Sequence, residues 1–256
     1  MLTALHWMIG VWLAACCIVG SALAAAPQLP PGPILVVGDS LSAGYGLPAR
    51  EAWPARLDAA FEADGLPYDI INAGISGDTS AGGRARLPKL LQRHEPVLVI
   101  IALGANDGLR GLPLSTLREN LEAMIGLSRE AGAEVLLTGM ALPSNYGLAY
   151  VRRFRTLYRD LVEAHKVAFL PFLEDVLHDR SLFLEDGLHP NAQGQLRVAD
   201  AVRRALEQAF SLARERAARA TQLRAATSGS TTFSSSTEQS PPWSRSTLIA
   251  SSSTST

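Results

Sequence analysis

Five short apolar runs, each ending in a turn or polar loop, alternate along the chain with longer segments whose apolar residues recur every three or four positions. Residues 34–37, 68–73, 97–103, 134–140 and 168–171 are the runs, and length together with their flanking Gly and Pro predicts strands. Seven apolar residues in a row, Val97 to Leu103, predict a strand buried on both faces. The segments between them are striped as helices. Trp53, Leu57, Ala60 and Phe61 follow a start marked by Pro54, which places Trp53 in the core rather than on a substrate platform. A second helix leaves Gly74–Ser80 and runs to about His94, a third carries Leu117, Leu121, Met124 and Ser128, and a fourth carries Tyr150, Phe154, Leu157 and Leu161. Val198, Ala199, Val202, Leu206 and Phe210 stripe the last. Strands alternating with helices imply a parallel sheet covered on both faces, and right-handed crossovers restrict its topology. The expected fold is α/β, a three-layer α/β/α doubly wound, flavodoxin-like arrangement of five strands.

The two ends fall outside this pattern. Residues 7–26 are apolar or small without Lys or Arg and end in Ala22-Leu23-Ala24 before a Pro-rich stretch, which predicts a signal peptide over residues 1–24 and a linker over 25–33. An uncleaved membrane anchor and lipidation at Cys16, which ends Leu13-Ala14-Ala15-Cys16, are the alternatives. The folded body is then residues 34–212. Residues 213–225 are expected as a basic helical extension, part of a stretch with Arg203, Arg204, Arg214, Arg216, Arg219 and Arg224; a solvated face is the simpler reading, a transient membrane-surface contact the other. Residues 226–256, rich in Ser and Thr, lack the periodicity to bury a core and are expected to be disordered.

Composition removes several classes of chemistry. A net charge of -1 offers no field for nucleic acid, and none is expected as a partner. Both cysteines, Cys16 and Cys17, lie in the leader, so the body has no disulfide, thiol nucleophile or Cys-bound metal. Ser, His and carboxylates remain. Ser40 follows the first strand, where an α/β sheet places its ligands; by itself a Ser there is more often a cap or turn residue. Gly77 stands in the loop after the second strand, where a backbone N–H can meet an anion or a glycine can simply close a turn. Asn106 follows the third strand, with an amide able to donate to an oxyanion. Asp186 and His189 lie three apart in Asp186-Gly187-Leu188-His189-Pro190-Asn191, ahead of the last helix. Imidazole can accept a Ser proton near neutral pH if a carboxylate fixes its tautomer, and Asp186 is the candidate. His94, His165 and His178 have no such setting and are read as surface or structural. A metal site from His189, Asp186 and Asp39 lacks the usual ligand pair, and neither metal nor cofactor is expected.

The blocks Gly38-Asp39-Ser40-Leu41, Gly74 to Thr79, Gly104-x-Asn106-Asp107 and Asp186-x-x-His189 resemble, in kind and order, those of the SGNH or GDSL-type hydrolases, over roughly residues 33–212. That resemblance implies the SGNH hydrolase fold, Ser40 as nucleophile, His189 as base and Asp186 as its partner. It also implies an oxyanion hole from Ser40, Gly77 and Asn106. The segments Arg86-Leu87-Pro88, Asn106 to Gly111 and Leu142-Pro143-x-Asn145-Tyr146-Gly147 are similar to the periplasmic thioesterase, arylesterase and lysophospholipase members. Hydrolysis of acyl esters and thioesters or of lysophospholipids by a secreted or periplasmic monomer is the expectation, with Leu109, Leu112, Leu142 and Tyr146 as substrate-binding residues. A carbohydrate O-acetylesterase of the same family is the enzyme alternative. A lipid- or flavin-binding module without catalysis is the alternative of another class.

Overall fold

The computed structural model describes residues 29–171 and 179–229. The expected leader, Cys16, most of the Ser/Thr-rich tail and His178 lie outside them. Two compact units are distinguishable, Met1–Arg216 and Ala217–Thr256. The first holds strands β1 (Ile34–Gly38), β2 (Ile70–Asn72), β3 (Leu98–Ala102), β4 (Glu134–Gly139) and β5 (Ala168–Pro171). They form one parallel sheet in the order β2-β1-β3-β4-β5, the doubly wound topology that the alternation predicts. Helices are α1 (Ser40–Ala43), α2 (Trp53–Ala63), α3 (Ser80–His94), α4 (Ala105–Leu109), α5 (Leu114–Glu130), α6 (Leu148–His165) and α7 (Ala192–Gly229). Of the second unit, the described part continues α7 to Gly229, so the expected basic extension belongs to that helix. None of the described helices is long and apolar enough to cross a membrane.

β1 and β3 are buried at every position, because helices cover both faces of the central strands. The helical stripes close on them: Trp53, Leu57 and Phe61 from α2, Leu117, Leu121 and Met124 from α5, Phe154, Leu157 and Leu161 from α6, and Val202 and Leu206 from α7 are all in the core. β2 is shorter than the expected 68–73, since it lies at the sheet edge and pairs only with β1. Tyr68 is nevertheless buried against Phe61 and Phe210, and its hydroxyl donates to Leu29 O at 3.0 Å. The start of α7 is pinned to α2 across the molecule. Asn191 accepts the N–H of Gln193 and Gly194 at 3.0 and 3.1 Å, as an N-cap does, and Gln195 Oε1 accepts the Trp53 N–H at 2.8 Å.

Within the expected basic stretch, Arg203 pairs with Asp64, which follows α2, and Arg216 with Glu134 of β4. These two guanidinium groups face the domain's own carboxylates.

Candidate active site

Four loops leaving the carboxyl ends of β1, β2, β3 and β4 meet the segment ahead of α7, and the candidate residues sit there. Ser40 is the first residue of α1 rather than part of an open loop. Asp39 caps that helix, its Oδ1 accepting the Leu41 N–H at 3.0 Å. The helix can start so abruptly because residue 38 is glycine: a Cβ there would lie 2.3 Å from Ser42 Oγ.

Ser40 Oγ stands 2.8 Å from His189 Nε2, and His189 Nδ1 stands 2.6 Å from Asp186 Oδ2. Asp186 Oδ1 closes its own turn by accepting the N–H groups of Leu188 at 2.8 Å and His189 at 3.0 Å. One carboxylate thus shapes the loop and aims its second oxygen at the ring. Partial burial alone would raise the Asp186 pKa, but the hydrogen bonds from the backbone and ring of His189 and from Leu188 outweigh it and hold the carboxyl below its ordinary value. An ionised Asp186 keeps the proton on Nδ1 and leaves Nε2 to accept from the serine. Tyr45 lies against the imidazole with ring centroids 4.6 Å apart and a 36° tilt, fixing the ring plane from the side.

The three candidate anion donors differ. Gly77 has φ +80°, so the turn itself asks for glycine, and among the described residues its N–H has no acceptor. Its carbonyl is held by Arg110 at 2.8 Å. The Ser40 N–H, at the start of α1, is likewise without an acceptor. Asn106 is engaged: its Nδ2 donates to Asp78 O at 2.9 Å and, more weakly, to Asp39 Oδ2 at 3.3 Å. Asp39 is 1% exposed. Burial pushes its pKa up to about 6, against the lowering effects of the Leu41 N–H and of His189.

A buried polar network holds the Asn106 helix. Asp107 accepts the Ser80 N–H at 2.8 Å and its hydroxyl at 2.6 Å, and Asn120 Nδ2 donates to Ser80 Oγ at 3.0 Å, tying α4 to α3 and α5. Arg86 braces the β1 and β2 ends by donating to Asp78 at 2.9 Å, Ala73 O at 2.6 Å and Gly38 O at 3.2 Å. The cleft so formed is about 300 Å³, bordered by Ser40, Gly77, Asn106 and His189 with apolar walls from Leu41, Tyr45, Leu109, Pro143 and Leu188. A neutral imidazole beside a hydroxyl and two open N–H groups is equipped for acyl transfer.

Residues 36–197 match the model of the GDSL-like Lipase/Acylhydrolase family, a span that includes every residue of this cleft. The chain belongs to that family. Among curated GDSL-like relatives, an arylesterase of Vibrio mimicus is 45% identical over 170 residues, which is 66% of this chain and 85% of that protein. Esterase TesA of Pseudomonas aeruginosa matches to the same extent, 45% over 170 residues, with 66% and 85% covered. The crystal structure of a TesA superposes with a TM-score of 0.67 at 44% identity, covering 69% of this chain and 99% of that one. The esterase EstA of Pseudoalteromonas sp., in a structure inhibited by monoethylphosphonate, gives 0.67 at 36% identity, covering 69% and 97%.

Of the substrate-binding residues expected from their apolar character in loops, only Leu109 borders the cleft. Leu142 is buried and lines a neighbouring cavity of about 420 Å³ that shares Ala141, Pro143 and Leu188 with the cleft. Leu112 and Tyr146 are exposed outside its walls; Tyr146 reaches back only through its hydroxyl, which donates to Leu109 O at 3.1 Å. An apolar residue on a loop carries no sign of which way it faces, and that is why the sequence misplaces these. It also misses Tyr45, for the same reason, and the burial of Asp39, which an acid directly before a helix-starting serine could have signalled.

Proposed function

We propose that this protein is a serine esterase that hydrolyses carboxylic esters and thioesters of acyl chains, with Ser40 as nucleophile, His189 as general base and Asp186 as its orienting acid. The observation that carries the reading is the unbroken contact from Ser40 Oγ to His189 Nε2 at 2.8 Å and from His189 Nδ1 to Asp186 Oδ2 at 2.6 Å, at the mouth of an apolar cleft. His189 takes the Ser40 proton as Oγ attacks the acyl carbonyl. The oxygen that gains charge is held by the N–H groups of Ser40 and Gly77, and by Asn106 once its weaker contact with Asp39 gives way to the oxyanion. His189 then returns the proton to the departing alcohol or thiol, and water repeats the sequence on the acyl-enzyme. The esterase and arylesterase names of relatives at 45% identity support the ester chemistry. The apolar stretch of residues 7–26 that ends in Ala22-Leu23-Ala24 supports an exported enzyme acting on lysophospholipids or other exogenous esters.

The test is hydrolysis of p-nitrophenyl esters from acetyl to palmitoyl by the full chain beside its Ser40→Ala variant. The parent is expected to turn over and the variant to be inert. A folded parent inert on the whole series, or a variant as active as the parent, would overturn the reading.

A further inference from the structure

Eight large apolar side chains stand exposed among the described residues, and six of them lie in segments that follow the carboxyl ends of the strands or in the Asp186–His189 loop. Tyr45 follows β1, Ile75 follows β2, Leu112 follows β3, Tyr146 and Leu148 follow β4, and Leu188 lies between Asp186 and His189. The remaining two are on α7. A single exposed leucine needs no explanation, whereas a cluster at the mouth of a cleft does. Binding a soluble ester in the cleft accounts for Tyr45 and Leu188, which line it, but not for Ile75 and Leu148, 52% and 72% exposed and outside its walls.

Basic side chains gather on part of this side, while Glu185 and Asp186 stand in the loop that carries Leu188. Residues 108–118 and 140–159, which leave β3 and β4, contain six arginines and no Asp or Glu. Between the starts of α5 and α6 runs an open groove lined by Leu114, Ala149, Arg118, Arg152 and Arg153, with Asp160 its one carboxylate and already paired with Arg118 at 2.7 Å. Apolar side chains that can sink below a headgroup layer, beside guanidinium groups at the level of its phosphates, are the two signals that hold a protein on an anionic membrane.

We propose that the rim of the cleft docks on an anionic phospholipid bilayer, with Ile75 and Leu148 entering the headgroup region and Arg152 and Arg153 meeting phosphates, so that the cleft opens onto the lipid. The docking extends the esterase reading, which supplies its purpose, but is measurable without turnover. This surface differs from the Arg-rich part of α7, where Arg203 and Arg216 face Asp64 and Glu134.

The experiment is co-sedimentation of the full-length Ser40→Ala protein with vesicles of phosphatidylcholine alone or mixed with phosphatidylglycerol. Partition is expected into the mixed vesicles, falling as salt rises. Arg152→Glu/Arg153→Glu and Ile75→Ser/Leu148→Ser, each added to that protein, should weaken it about tenfold. The same pairs placed in the active chain should leave hydrolysis of soluble p-nitrophenyl butyrate within about twofold of the parent, which shows that they fold. Absence of partition by the parent, or equal partition by the paired variants, overturns the proposal. Normal vesicle binding by a chain inert on every ester would uphold the surface while removing the esterase reading.

Discussion

The two ends of the sheet solve the same problem differently. At the amino end the backbone mostly satisfies itself: the Ile34 N–H donates to Asp69 O at 2.8 Å, Val97 to Pro33 O at 2.9 Å and Glu134 to Val97 O at 3.0 Å, while the Ile70 N–H goes to the Asp58 side chain at 2.8 Å. At the carboxyl end the chain turns away from each strand, and buried side chains do much of the same work: Arg86 takes the carbonyls of Gly38 and Ala73, Asp107 the Ser80 N–H, and Asp39 the Leu41 N–H. The N–H groups of Ser40 and Gly77 there stay open. One end is closed largely by main chain and is the more tolerant of side-chain change. The other is held open by specific side chains, and open donors are what a developing negative charge requires.

The contrast is broken most severely at Ser40. Ser40→Ala should lower kcat by about 10⁴-fold or more while leaving the thermal midpoint within a few degrees, and should abolish labelling by a phosphonate probe. Asn106→Ala should cost about 10²- to 10³-fold in kcat with little change in KM, because it removes a donor to the transition state rather than a substrate contact. Undiminished kcat in that variant would leave the backbone N–H groups as the whole oxyanion site. In the middle of the sheet, fully buried Ile100 gives the opposite signature. Ile100→Ala should lose about 2–5 kcal/mol in urea unfolding, yet keep its kcat per folded molecule. The smallest effect is a pH dependence. Because burial raises the Asp39 pKa from 3.8 to about 6, the folded chain binds that proton more tightly than the unfolded one. Its contribution to stability therefore declines as pH rises from about 4 to about 6, and Asp39→Asn should flatten that slope in urea titrations. Asp186 runs the other way. Its pKa is held below 3.8, so its stabilisation is present above the ordinary carboxylate value and fades as pH falls below it, with a weak effect because the side chain is partly exposed.

The difference between the ends also decides what the chain discloses in advance. Seven consecutive apolar residues at 97–103 and stripes such as Phe154, Leu157 and Leu161 are local signals, and sheet order follows once strands alternate with helices. Ser40, Gly77, Asn106, Asp186 and His189 were legible because each stands in a polar break beside an element. What brings them together is not local. Tyr45 meets His189, Asp107 meets Ser80 and Gln195 meets Trp53 across 144, 27 and 142 positions, and no periodicity encodes such contacts. The cleft walls were hardest to read, because the direction of Leu112 or Tyr146 depends on neighbours supplied by other loops.

The separation of Ser40 from His189 by 149 positions bears on the order of events during synthesis. The serine leaves the ribosome early, on the first strand, and its base late, just ahead of the final helix. On the proposed mechanism, a partly made chain therefore carries its serine with no proton acceptor and is silent toward the esters it meets. On that mechanism, turnover requires the segment ahead of α7 to be in place, with Gln195 on the Trp53 N–H. The appearance of turnover would thus report that the two distant ends of the domain have come together.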